Sequence, residues 1–302
     1  MRLLVLALGI VVIVSGVAGL IWGEVAGGQL LEEIERSFHL APGQEIVVQS
    51  GNGPITYEAW DGDQVVIRAV KETSRLAPSL ARWVSDRSVV EIEQVARGVR
   101  AVHRSQFRWG WFAVGNVSVS FVVRVPRGWE GDVTLQTSNG RISAYDLHGV
   151  AELRTLNGPI IVERQSGSLR VKTSNGPIQM KQLDGVVDAE TSNGAIIVDG
   201  AALAQSGRLR TSNGAVELRA ELVADASYEV RTSNGEVRLY LVEPDVQLDL
   251  TTSNGEIELG TEVVVTEVSR SRLSGRIGQG TARLVARTSN GDVTISAVSR
   301  GR

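Results

Sequence analysis

Apolar and polar residues alternate along most of this chain, and the alternation comes in short, repeated blocks. From Leu169 to Lys172 the order is apolar, charged, apolar, charged, and from Ile178 to Met180 apolar and polar residues alternate again. Because successive side chains of a strand point to opposite faces, a period of two predicts β-strands with one buried side and one water-facing side. The pattern therefore predicts an all-β protein.

Asn-Gly dipeptides separate these blocks at regular intervals. Seven of the nine lie in the tetrapeptide Thr-Ser-Asn-Gly, and the intervals from Asn139 to Asn254 are 18, 18, 18, 20, 21 and 20 residues. The last interval, 36 residues, is two periods, and Ser274-Gly275 stands where a further Asn-Gly would fall. Asn tolerates the left-handed backbone and Gly permits positive φ, so we predict structural corner turns at Asn52, Asn139, Asn157, Asn175, Asn193, Asn213, Asn234, Asn254 and Asn290.

A period of about 20 residues is typical of stacked supersecondary units, since one such unit cannot bury its apolar face alone. Asn-Gly is also a strong hairpin signal, so an antiparallel meander is the alternative. Identical corners favour a coil, because stacking places Thr on Thr and Asn on Asn about 4.8 Å apart. We predict a single-stranded β-solenoid of about nine to ten coils of 18–21 residues, preceded by one N-terminal transmembrane helix. In it, the Thr residues before the corners form an inward-facing column.

The N-terminus contains an uncharged stretch from Leu3 to Trp22, which is long enough as a helix to cross a bilayer. Arg2 precedes the stretch and Glu24 begins an acidic segment after it. This asymmetry predicts a single-pass anchor with the rest of the chain outside the cytoplasm. A cleaved signal peptide, followed by secretion, is the alternative, because Val17 to Gly19 could form a weak cleavage site.

The predicted organisation has four parts: residues 1–23 form the anchor or signal peptide, 24–45 an acidic juxtamembrane stalk, 46–130 the first coil and an irregular capping region, and 131–299 the solenoid repeats. Apolar residues at helical spacing suggest a short helix in the stalk: Leu30, Leu31, Ile34 and Phe38. A brief helix from Pro78 to Val84 is expected in the capping region, which would cover the open end of the solenoid.

Composition excludes several classes of function. The chain has no Cys, which removes disulfides and thiolate metal sites, and its net charge of −3 gives no nucleic-acid footprint. Outward acids alternate with Arg, and the three His residues (His39, His103 and His148) are far apart in sequence. We therefore predict no catalytic, cofactor-binding or metal-binding residues and a protein that is not an enzyme. A β-helix enzyme acting on polysaccharide is the less favoured alternative.

One stretch mixes basic and aromatic side chains, which is typical of surfaces that bind sugars, nucleic-acid bases, membranes or proteins. The candidate partner-binding residues are Phe107, Arg108, Trp109, Trp111 and Phe112. The structural alternative is a long loop whose aromatic side chains fold back over the end of the solenoid.

The repeated Thr-Ser-Asn-Gly-x-Ile coils, the segment Val123 to Gly128 and the single N-terminal apolar segment resemble the bacterial "putative adhesin" β-solenoid family, a domain-of-unknown-function group. The resemblance covers about Ile46 to Val298. It implies a non-catalytic cell-envelope scaffold or adhesin-like binding module, with an envelope protein or surface polysaccharide as partner. Since some relatives are associated with envelope stress, a regulatory or sensory partner in that response is the alternative. The family supplies no catalytic residues.

Overall fold

The computed structural model describes residues 10–14, 17–26, 29–73, 85–105 and 117–299. The regular elements within these ranges are all β-strands, which confirms the all-β class. The chain forms two compact units, one ending at Ala144 and the other beginning at Tyr145. One strand, β11 (Ile142–Asn157), runs through the boundary.

Ten strands precede that boundary strand in the first unit. They are β1 (Ile10–Val14), β2 (Val17–Ala26), β3 (Gln29–Phe38), β4 (Glu45–Asn52), β5 (Ile55–Trp60), β6 (Val65–Thr73), β7 (Ser88–Val95), β8 (Gly98–Ser105), β9 (Val117–Pro126) and β10 (Gly131–Asn139).

In the first unit, parallel strand pairs form a stack of three coils. β4 lies between β8 and β10, and β5 lies between β9 and the first residues of β11. The coil that comes first in the sequence is therefore in the middle of this stack. Its alternating residues Ile46, Val48, Ile55 and Tyr57 are fully buried, as the period of two predicts.

Antiparallel strands cover the outer layer of the first unit. β6 pairs with β9, and β7 pairs with β8. β3 extends the sheet from the other edge of β6, followed by β2 and β1. An open edge of parallel coils would invite further strands, so this pairing satisfies backbone groups that a bare terminal coil would expose.

The predicted N-terminal helices are not observed. Residues 3–9 and 15–16 of the predicted anchor lie outside the described residues, and the rest of it lies in β1 and β2. No helix among the described residues is long and apolar enough to cross a membrane. The predicted stalk helix is wrong, because its residues form β3. Cross-strand ion pairs with β6 favour the strand, with 2.6 Å between Glu33 and Arg68 and 2.5 Å between Glu32 and Lys71. The helix expected from Pro78 to Val84 lies outside the described residues.

The second unit contains the end of β11 and thirteen further strands. They are β12 (Ile160–Lys172), β13 (Ile178–Glu190), β14 (Ile196–Leu203), β15 (Ser206–Arg210), β16 (Val216–Leu222), β17 (Ser227–Arg231), β18 (Val237–Val242), β19 (Val246–Asn254), β20 (Ile257–Leu259), β21 (Val264–Val268), β22 (Arg272–Ile277), β23 (Ala282–Asn290) and β24 (Val293–Val298).

Equivalent strands of successive coils in the second unit pair in parallel, which excludes the meander. The series β13, β15 and β17 builds one side, and the series β14, β16 and β18 builds another. The predicted column of buried Thr residues is confirmed at Thr173, Thr191, Thr211, Thr232 and Thr252. Each hydroxyl donates a hydrogen bond to the corner Gly carbonyl of a neighbouring coil, as Thr211 does to Gly194 at 2.9 Å.

Coils at the C-terminal end do not stack in sequence order. β23 lies between β17 and β19, and β24 lies between β18 and β20. The last coil is thus inserted between two coils that are consecutive in sequence. The coil expected at Ser274-Gly275 is wrong, because these residues lie in β22, which runs antiparallel to β19 and to β21. This hairpin covers the outer edge of β19, where a parallel coil would have left the edge open.

Candidate functional site

The corner asparagines form a ladder of side-chain hydrogen bonds. In the second unit, Asn193 donates its amide to Asn175 at 2.8 Å, and Asn213 donates to Asn193 at 2.9 Å. In the first unit, Asn139 donates to Asn52 at 2.7 Å. Each interior amide is both donor and acceptor, so Asp, which lacks the N–H group, could not replace Asn without breaking a rung. Asn157, Asn234, Asn254 and Asn290 continue the ladder of the second unit.

The strand that precedes each corner presents a water-facing side in the second unit, which we call the charged face. Register pairing places its side chains in two columns. The first, the mixed column, contains in spatial order Arg170, Asp188, Arg208, Glu229, Val285 and Asp249. Charges of opposite sign are neighbours here, and Asp188 lies 3.5 Å from both Arg170 and Arg208. Such pairing is the arrangement that stabilises stacked strands.

The second column of the charged face, the arginine column, is different. It contains an ion pair of 2.9 Å between Lys172 and Glu190, followed by Arg210, Arg231 and Arg287 in three consecutive layers. Neighbouring strands are about 4.8 Å apart, so the three guanidinium groups share one line along the stack. Like charges directly opposite each other destabilise a sheet.

Few carboxylates compensate this line of arginines. Among the described residues, Arg210 and Arg231 have no ion-pair partner, and Arg287 has only Asp249, at 3.9 Å. All three side chains are exposed. Arg231, the middle residue, therefore has an arginine on both sides and no acid in contact.

A groove of about 510 Å³ adjoins the arginine column. Its lining includes Arg208, Arg283 and Arg287, the carboxylates of Asp188 and Glu229, and the hydroxyl-bearing residues Ser206 and Ser227. Because Arg208 is paired with Asp188 at 3.5 Å, the groove adds one further arginine, Arg283, and two neutral hydroxyl groups beside the arginine column.

The ring of Tyr228 lies beneath this groove and is buried. It occupies space that a β-carbon at Gly207 would need, since that atom would be 2.5 Å from the ring. Its hydroxyl accepts a hydrogen bond from the backbone N–H of Val187 at 3.1 Å. Burial raises the pKa of Tyr228, so the phenol stays neutral and contributes no charge to the face above it.

A second polar cluster, which sequence reasoning missed, lies in the first unit. His103 Nε2 is 2.7 Å from the hydroxyl of Ser88, and both side chains are buried. Lys71 Nζ donates to the backbone carbonyls of Ser85 and Ser88, each at 3.2 Å, and is 2.5 Å from the carboxylate of Glu32. The signal available in the sequence was weak, because Lys71 and His103 occupy ordinary inward positions of alternating strands.

A Ser hydroxyl bonded to His is one element of nucleophilic catalysis, but this pair is unsuited to it. Burial lowers the pKa of His103, and the nearby Lys71 ammonium lowers it further. A general base must become imidazolium, which both effects oppose. Ser88 is also only 2% exposed, so a substrate would not reach its hydroxyl. We interpret the cluster as part of the packing between β6, β7 and β8.

The aromatic and basic residues proposed from the sequence as a partner-binding loop lie outside the described residues: Phe107, Arg108, Trp109, Trp111 and Phe112. They connect β8 to β9 in the chain. The three His residues do not converge: His103 contacts Ser88, His148 contacts Ser166 at 2.7 Å, and His39 contacts Gln64 at 3.0 Å. Within the described ranges, no group of three or more His, Cys, Asp or Glu side chains could hold a metal ion.

Parallel coils, a buried Thr column and the asparagine ladder together define a β-solenoid-like repeat protein. The chain belongs to the family Toastrack DUF4097, whose model matches residues 44–296. This membership confirms the family resemblance seen in the repeated corners. No curated protein is similar enough in sequence to count as a match.

Solved structures show distant likenesses. A "putative adhesin" from Parabacteroides distasonis is 13% identical with a TM-score of 0.42, over 88% of this chain and 97% of that chain. A "putative adhesin" from Bacteroides fragilis is 11% identical with a TM-score of 0.35, over 87% and 97%. A "putative cell adhesion protein" from Clostridium sporogenes is 9% identical with a TM-score of 0.27, over 87% and 99%. At these TM-scores the likenesses carry no argument about function.

Proposed function

We propose that this protein is a non-catalytic binding scaffold of the bacterial cell envelope, adhesin-like in the sense that it holds envelope or surface material. The observation that carries the proposal is the charged face of the second unit. Its side chains stand on parallel strands whose corners are fixed by the Asn and Thr hydrogen bonds. A rigid support reduces the entropy lost on binding.

The polar groups of the described residues support the non-catalytic part of this proposal. The Ser–His contact is buried and disfavours imidazolium, and two carboxylates of the mixed column, Asp188 and Asp249, are paired with arginines. Polysaccharide hydrolysis needs two free carboxyl groups facing one substrate position. The charged face instead offers guanidinium groups, which are well suited to binding anions.

Location in the envelope is part of the same proposal. The uncharged stretch from Leu3 to Trp22, between Arg2 and the acids that begin at Glu24, supports an anchor with the repeats outside the cytoplasm. Protease added to intact cells, or to spheroplasts if an outer membrane is present, should then remove the repeats and leave a short anchored stub. Digestion that occurs only after lysis would contradict this orientation, and a mature protein that starts near Leu20 would establish secretion instead.

To test binding, the full chain is inserted into nanodiscs of zwitterionic lipid and mixed with isolated cell-wall and surface-polysaccharide fractions. These fractions are then sedimented, and the protein in the pellet is measured. We expect the protein to sediment with this material and to release no new reducing ends or unsaturated products. Failure to bind any envelope fraction would overturn the scaffold function. Time-dependent product formation that Ser88→Ala or His103→Gln abolishes would replace it with an enzyme.

A further inference from the structure

Mutual repulsion among the three arginines of the arginine column destabilises the fold, and among the described residues the contact of Arg287 with Asp249 at 3.9 Å is their one ion pair with an acid. Arg231 stands directly between Arg210 and Arg287, and like charges in such positions repel. The mixed column on the same strands shows that the fold accommodates alternating charges, since Arg208 pairs with Asp188 at 3.5 Å. Repetition of the coil therefore does not require three arginines in succession.

We propose that Arg210, Arg231 and Arg287 bind a linear polymer that carries carboxylate or phosphate groups at regular intervals. This inference rests on the proposed scaffold function and names its ligand class. Bound anions between the guanidinium groups would convert their mutual repulsion into attraction.

The geometry of the column fits a repeating ligand better than a single small anion. Three layers at about 4.8 Å spacing extend over roughly 10 Å, so one polymer can contact all of them at once. Each guanidinium has a planar fork of donors that matches a carboxylate or phosphate. Arg283 lies on the same strand and face as Arg287, with Val285 between them, and widens the positive area toward the groove. Several weak contacts on one polymer add up to a useful affinity.

Nucleic acid is also a linear polyanion, but the face lacks the groups that hold its bases. Single-strand binding surfaces add exposed aromatic side chains on which bases stack. The aromatic residue in the groove lining is Tyr228, which is 1% exposed and lies under the strand. An acidic polysaccharide or a phosphate-bearing envelope polymer fits these features.

The test measures binding of defined polymers to the full chain in nanodiscs of zwitterionic lipid. The probes are an oligogalacturonate for carboxylate, inorganic polyphosphate for phosphate, and single-stranded DNA of equal charge. We expect one or both of the first two to bind, and the tighter of them identifies the oxyanion. The variant Arg210→Gln/Arg231→Gln/Arg287→Gln should weaken that binding by about tenfold or more.

A matched variant removes the same number of positive charges elsewhere in the second unit. Arg164, Arg219 and Arg238 each lie within 4.0 Å of an acid, and their replacement by Gln should change binding by less than about twofold. Melting curves of both triple variants check that each remains folded.

Three outcomes would overturn the inference. One is equal weakening by both triple variants, which would indicate unspecific charge attraction. Another is DNA binding as tight as that of the other probes and equally sensitive to the column. The third is no binding of any probe while envelope material still sediments with the protein, in which case the scaffold function stands without this ligand. If the protein binds neither the probes nor the envelope material, the scaffold function itself is contradicted.

Discussion

The side-chain amide of Asn290 donates a hydrogen bond to Asn234 at 2.7 Å, although 56 residues separate the two in sequence. The corner that follows Asn234 in sequence, Asn254, donates to Asn290 at 2.9 Å and so lies one layer further out. The last coil thus lies between two coils that are consecutive in sequence. This order leaves β19 outermost, where β22 covers it.

Engineered disulfides test that order directly, because the chain has no Cys. Glu229 and Val285 are register partners on adjacent parallel strands, within the Cα separation that a disulfide tolerates. Glu229→Cys/Val285→Cys should cross-link on mild oxidation, as seen by mass spectrometry of the digested protein. Glu229→Cys/Asp249→Cys is the control, since two layers of about 4.8 Å exceed the limit of about 7 Å. Cross-linking of the control pair alone would show that the coils stack in sequence order.

The backbones of neighbouring corners lie so close together that replacing Gly194 should strongly destabilise the protein. A β-carbon there would lie 2.1 Å from the carbonyl oxygen of Gly176, which also accepts the hydroxyl of Thr191. Gly194→Ala should lower the free energy of unfolding by about 3 kcal/mol, because backbone must shift and a hydrogen bond is strained. Ser192→Ala, an exposed change in the same corner, should cost less than about 0.5 kcal/mol. Urea denaturation measures both, and equal effects would contradict the close approach.

Charge reversal at Arg231 should separate stability from binding. Arg231→Glu places an acid between Arg210 and Arg287, so the free energy of unfolding should rise by about 0.2–1 kcal/mol. The same variant should lose affinity for the anionic polymer. Arg238→Glu, which puts a like charge beside Glu236 on another strand, should not stabilise the protein. A fall in stability of Arg231→Glu at low salt would mean that the column is not under electrostatic strain.

Burial of His103 predicts a pH-dependent stability. Its pKa is lowered in the folded protein, by burial and then by Lys71, so below the ordinary value of about 6.5 the unfolded chain binds more protons than the folded one. The stabilisation is therefore complete above about pH 6.5 and is lost as pH falls from there toward the folded pKa. His103→Gln should flatten the dependence of the urea midpoint between about pH 7 and pH 5. Each protein's midpoint at pH 8 is its reference, and an unchanged slope would contradict the assignment.

The segment between β8 and β9 in the chain offers a test of the sequence-based partner site. If Trp109 and Trp111 bind a partner or a membrane, replacing both by Ser should leave thermal stability unchanged and reduce capture of envelope protein or lipid vesicles. Interface anchors are commonly Trp and Arg, which is the reason for the prediction. A marked fall in melting temperature would instead mean that the two side chains cover the end of the coils. No change in either measurement would remove the segment from the candidate sites.

Local rules were enough to predict the repeating unit. The alternation around Thr211 fixes which side of the strand is buried, because side-chain direction in a strand depends only on position. Asn-Gly corners such as Asn213-Gly214 locate the turns, since few residue pairs accept that backbone. The Thr column and the parallel stacking follow from identical corners in register. These features need no contact outside one coil and its neighbour.

The sequence alone determined an all-β repeat with its corners, its buried positions and its family. Only the tertiary structure decided which coils are neighbours, that residues 29–38 form a strand, and that three arginines share one column. The physical reason is that equivalent corners are interchangeable, so the pattern cannot tell whether Asn254 or Asn290 pairs with Asn234. That choice depends on how the strand edges at the end of the stack are covered, which is a property of the whole assembly of strands.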